Sequence, residues 1–199
     1  EEGKEEEGKE EGEEEGEERG DDVGNYGEEV LLVLSYAWPV VFGFVVSVTV
    51  MYLIFPFFTY VPTAHPLGPL LPQVLFYTRL FLDIAGRFTP RRKALMLRSP
   101  KGVLVLTVVK LMLAAVFFTY IQSGPQFHHD YLALALVASI WFLGGYLNTS
   151  CNILAPNMVP PALAIRASAV MALAFQIAHF LGLVLAIFVA TMLYGDIVG

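Results

Sequence analysis

Cysteine is nearly absent: the 199 residues hold one, Cys151, so no disulfide forms within the chain. Acid is scarce wherever the chain is apolar. Beyond Val30 only Asp83, Asp130 and Asp196 remain, against nine Lys or Arg, and a soluble domain of this size would need many more charges on its surface. The signatures of soluble enzymes are missing too: there is no Walker loop, GxGxxG turn, HExxH pair or GxSxG elbow. No enzymatic activity and no cofactor is therefore expected. His128, His129 and Asp130 stand side by side on a short loop, a poor arrangement for one ion, so no metal site is expected either.

What the chain does have is divided sharply. The first 20 residues, EEGKEEEGKEEGEEEGEERG, are of low complexity. Glutamate favours helix, but a glycine every four or five residues costs about 1 kcal/mol each relative to alanine, and like charges repel. Residues 1–29 are expected to be a disordered acidic linker, with no Ser or Thr to phosphorylate. The lack of an initiating Met and of a signal-peptide pattern suggests an internal fragment.

From Val30 the apolar runs reach membrane-spanning length, about 20 residues for a hydrocarbon core of roughly 30 Å. Five spans are expected, at about 30–60, 71–88, 102–122, 131–154 and 162–194. The fold class is thus an all-α integral membrane bundle, multi-pass, with the lipid bilayer as its medium. Arg91, Arg92, Lys93, Arg98 and Lys101 crowd one connection, while residues 61–70 and 123–130 carry no Lys or Arg. Basic residues stay inside, so residues 89–101 and the acidic linker are expected in the cytoplasm and the C-terminus outside. Because topology explains this one basic cluster, no nucleic-acid partner is expected.

A few polar residues interrupt the spans. Arg79, Asp83 and Arg87 follow at four-residue intervals, which stacks them on one helix face. Ionised groups at membrane depth cost several kcal/mol, so that face should turn into the bundle or a wet cavity. Two readings stay open: an internal Asp83–Arg87 pair with Arg87 reaching for the interface, or a stripe that lines a solute path. The carboxylate would accept from hydroxyls, and the guanidinium would donate. Lys110 lies about eight residues into the third span, where its stem either reaches the interface or lines the same path. Gln176 and His179 share a face of the last span, fit for interhelical hydrogen bonding or for lining the path. Gly144 and Gly145, beside Asn148, Thr149, Ser150 and Asn152, permit close helix approach.

These residues resemble a known family. LFLDIAGRF is similar to the FDxxGR-type signature of equilibrative nucleoside transporters, and IFPFFT to their phenylalanine-proline segment. Lys110 stands where the family usually has Arg. HHDYLALALVASIWFLGGYLNTSCNILAP and VPPALAIRASAVMALAFQIAHFLGLVLA resemble its last two helices, so the likeness covers nearly all of residues 40–194, in order. The resemblance implies the C-terminal five-span half of a major-facilitator-like bundle, in the plasma membrane, whose partner half of six spans precedes it. It implies nucleoside or nucleobase transport by alternating access, facilitative or proton-coupled, with Asp83 and Arg87 as the substrate contacts. A related carrier of nucleobases or organic amines, or a truncated product without transport, are the alternatives. The chain departs from the pattern at Leu80, often Asn in the family, at Arg79, at Gly144, and at Ile165–Arg166, where many members carry an acid.

Overall fold

The computed structural model describes residues 2–63 and 67–195, with side chains from Tyr26 onward apart from Pro125. Among these residues there are helices and no strands. Five long helices are joined by short 3-10 turns: α1 (Glu2–Ile54), α2 (Leu71–Phe88), α3 (Pro100–Gln122), α4 (Asp130–Asn157) and α5 (Ala164–Tyr194). Proline occupies the first positions of α2 and α3, where its missing N–H costs nothing. Pro56 does the same for the turn Phe55–Tyr60, and α1 stops just before it. Helical backbone runs through the acidic stretch expected to be disordered, since α1 is bounded at Glu2. The side chains of residues 2–25 lie outside the described residues, as do residues 196–199, to which the expected outside C-terminus belongs.

Among the described residues four helical segments are long and apolar enough to cross a membrane: Tyr26–Tyr60, Pro100–Gln122, Asp130–Asn157 and Pro161–Tyr194. The sequence expectation was five. The difference is α2, whose 18 residues contain Arg79, Asp83 and Arg87. Those charges lower its hydropathy without shortening it, and at 1.5 Å per residue it is about 27 Å long.

Contacts between named residues fix the helix directions. Glu29 of α1 meets Arg166 at the start of α5, and Tyr60 stacks on Tyr194 at its end, so α1 and α5 run the same way. Thr107 and Lys110 of α3 meet Gly43 and Ser47 of α1 in the same order, so α3 runs with them. The other two, α2 and α4, run in the opposite direction and lie side by side. Two apolar clusters form the core. One joins Phe44, Val103, Leu147, Ala167 and Met171, and the other Ile54, Phe57, Leu75, Phe117, Ile140 and Trp141. The layer between them is where the polar side chains collect.

Glycines set the closest approaches. A Cβ on Gly145 of α4 would strike the Asp83 carbonyl of α2, and one on Gly86 of α2 would strike the Phe142 carbonyl of α4. The two backbones therefore touch with no side chain between them, directly behind Asp83 and Arg87. Gly182 allows the same between α5 and α1, where its Cβ would lie 2.7 Å from the Thr49 carbonyl oxygen.

Candidate functional site: a charged layer between two apolar clusters

Gly86 and Gly145 let α2 press against α4, and the stripe Arg79–Asp83–Arg87 runs along the flank of that contact, with Arg79 two turns from Gly86 on the same face. Arg87 Nε donates to Asp83 Oδ2 at 2.7 Å, the i, i+4 geometry the spacing predicts. The pair is unequal in its surroundings. The Arg87 side chain is 47% exposed and that of Asp83 19%. The second carboxylate oxygen, Asp83 Oδ1, is buried and receives no hydrogen bond among the described residues. A buried acceptor of this kind costs on the order of 1–3 kcal/mol unless something donates to it, and more for a charged group.

Lys110 approaches from α3. It is fully buried, with Nζ donating to the Ser47 carbonyl at 2.8 Å and to Ser47 Oγ at 2.9 Å. Between the two sequence readings of Lys110 the structure decides against reaching the interface. Gly144 makes this possible, because a Cβ there would stand 2.8 Å from Nζ. The next glycine, Gly145, touches the Asp83 backbone, so Lys110 and Asp83 border adjacent residues of α4.

Arg79, one turn from Asp83, turns to aromatic rings instead. Its guanidinium carbon lies 4.0 Å from the centroid of Phe55, 5.7 Å from Phe76 and 5.9 Å from Trp141. These rings come from the turn that follows α1, from α2 and from α4. Among the described residues Arg79 makes no ion pair.

The two polar residues of α5 part company. His179 stacks on Tyr52, with ring centroids 3.8 Å apart and planes 12° from parallel, which joins α5 to the charged layer through α1. Gln176 is exposed and belongs to a shallow apolar groove with Ile177, Phe180, Leu181 and Val184. Three residues make less than a full turn, and the difference places one on Tyr52 and the other on the outer surface.

The loop residues of the opposite end do something else. Asp130 Oδ2 accepts from the Leu67 N–H at 2.8 Å, and the Tyr120 hydroxyl donates to the His129 carbonyl at 3.1 Å. These bonds pin the α3–α4 turn. Among the described residues no group of three or more His, Cys, Asp or Glu is placed to hold a metal.

Sequence reasoning missed Ser47, Tyr52, Phe55 and Trp141 as members of this layer. Ser47 carried one signal, a hydroxyl that it shares with Thr49 in an otherwise apolar run. The rings carried none, because aromatics at helical spacing look the same whether they face lipid, core or a guanidinium. No family model matches the chain, and no curated protein or solved structure matches it.

Proposed function

We propose that the chain is a membrane carrier of the equilibrative nucleoside transporter type, its C-terminal part, with Asp83 and Arg87 as the solute contacts. The observation that carries this reading is the orphaned Asp83 Oδ1 beside a half-exposed guanidinium, in the layer between the two apolar clusters. A donor is wanted there, and a sugar hydroxyl or a base N–H supplies one. Arg87 offers its remaining N–H groups to ring or sugar oxygens. The sequence likeness across residues 40–194 names the solute class. In this reading α2 crosses the membrane as a fifth span, since it lies beside α4 and is about as long as the hydrocarbon core is thick. Its charges face the partner half or a wet path. The basic connection is then cytoplasmic, and solute passes by alternating access between this part and the six spans implied before it.

Equilibrium binding of a labelled nucleoside to the chain in lipid nanodiscs tests the assignment. The double replacement Asp83→Leu with Arg87→Met removes the pair without leaving a lone buried charge, a change that packed proteins often accept. A lost charge-assisted hydrogen bond is worth about 1.5–3 kcal/mol, so affinity should fall by about tenfold or more in a protein that still folds. Near-wild-type affinity in the double variant would reduce Asp83 and Arg87 to an ion pair. Competition with nucleobases and organic amines in the same assay separates nucleoside carriage from its closest alternatives.

A further inference from the structure

Two features of the charged layer are each incomplete alone. Arg79 is a cation at membrane depth held by the faces of Phe55, Phe76 and Trp141, with no ion pair among the described residues. One turn further along the same helix, Asp83 Oδ1 is a buried acceptor with no donor. Residues four apart on a helix are within side-chain reach of each other, so the missing donor and the unpaired cation are neighbours. The guanidinium is also planar and delocalised, and it lies 4.0 Å above Phe55 much as a flat heteroaromatic ring would.

We infer that Arg79 exchanges between two berths: the aromatic slot of Phe55, Phe76 and Trp141, which it fills here, and Asp83 Oδ1, which it reaches when a planar ring of the solute takes the slot. The inference rests on the nucleoside reading and adds to it a subsite for the base and a residue that sets its affinity. A carboxylate oxygen accepts more than one hydrogen bond, so Asp83 Oδ1 takes the displaced guanidinium beside the solute's own donor, and the cation exchanges its rings for a counter-ion. The three rings of the slot, Arg79 and Asp83 all belong to this chain, so the subsite is complete without a partner half. A ligand that competes with a resident side chain binds with its affinity reduced by the fraction of time the slot is open. Arg79 therefore weakens base binding, and removing it should strengthen it.

Replacing Trp38 with Phe leaves Trp141, in the slot, as the sole tryptophan. In that background the chain in nanodiscs is titrated with adenosine and with ribose. Adenosine should change Trp141 emission saturably, and ribose should not. The Arg79→Gln variant should bind adenosine about threefold tighter or better. Arg79→Lys keeps the charge for Asp83 but loses the stacking plane, and should move the same way by less, which covers a failure of the Gln variant to fold. Weaker or unchanged adenosine binding in both Arg79 variants overturns the exchange. If labelled adenosine binds while Trp141 emission stays constant, the exchange falls and the nucleoside reading stands. If adenosine does not bind the parent or the variants, both fall.

Discussion

Lys110 shows how one glycine decides the fate of a charge. The stem of a lysine eight residues into a membrane helix is long enough to seek water, yet here it ends on Ser47, because Gly144 leaves space where any other residue would place a Cβ. Gly145, its neighbour, serves a different contact. A methyl group at position 144 meets the ends of two flexible side chains, Met51 and Lys110, which can shift. One at position 145 meets the backbone of Asp83 and Arg87, which cannot. Overpacking against a rigid wall costs about 1–3 kcal/mol. Gly145→Ala should therefore lower the unfolding midpoint of the purified protein clearly more than Gly144→Ala. On the proposed transporter reading it should also weaken nucleoside binding, because it separates α2 from α4 behind Asp83 and Arg87. Equal losses in scanning unfolding experiments would show that the α2–α4 backbone contact does not carry this part of the fold.

Among the helices, α2 is the one whose stability is borrowed. On the insertion scale a charged residue near the middle of a span costs about 2.5–3.5 kcal/mol, and α2 carries two in its interior, Arg79 and Asp83, with Arg87 in its last turn. Its close packing on α4 and the rings around Arg79 compensate inside the bundle, but not in isolation. Fused alone to a glycosylation reporter, α2 should insert in well under half of the chains. Arg79→Leu with Asp83→Leu should raise that to a clear majority. Efficient insertion of the unmodified segment would mean that the charges are answered within α2 itself, by Asp83 with Arg87. The helices α1 and α5 show the contrary case. Their apolar stretches are long enough to insert unaided, and their two ends are tied by Glu29 with Arg166 and by Tyr60 on Tyr194.

For the whole molecule, the alternating helix directions put Glu29, Arg166 and the basic connection at one end of the bundle and Asp130 and the Tyr60–Tyr194 stack at the other. Arg91, Arg92, Lys93, Arg98 and Lys101 are all exposed at that first end, and Arg91 rests on the ring of Phe88. The Tyr146 hydroxyl donates to the Leu95 carbonyl at 2.6 Å and anchors the connection to α4. If this end is cytoplasmic, a cysteine introduced at Lys93 should resist a membrane-impermeant thiol reagent in intact cells and react after permeabilisation. The native Cys151 is buried and should stay silent in both conditions. Labelling of position 93 from outside would invert the topology.

Hydropathy alone determined the all-helical class, because a backbone in lipid must satisfy its own hydrogen bonds and a 20-residue apolar run has one way to do so. Four-residue spacing likewise determined that Arg79, Asp83 and Arg87 share a face and that Asp83 and Arg87 can meet. What it could not fix was which of these charges has a partner from another helix. That depended on where Gly86, Gly144, Gly145 and Gly182 let backbones close up, and a glycine in a sequence does not say which neighbour will fill its space. The burial of Lys110, the separation of His179 from Gln176 and the aromatic berth of Arg79 are all consequences of those approaches. Local periodicity places a side chain on a helix, whereas its environment is set by residues more than a hundred positions away, as Thr49 Oγ1 and the Ala178 carbonyl show by meeting at 3.2 Å.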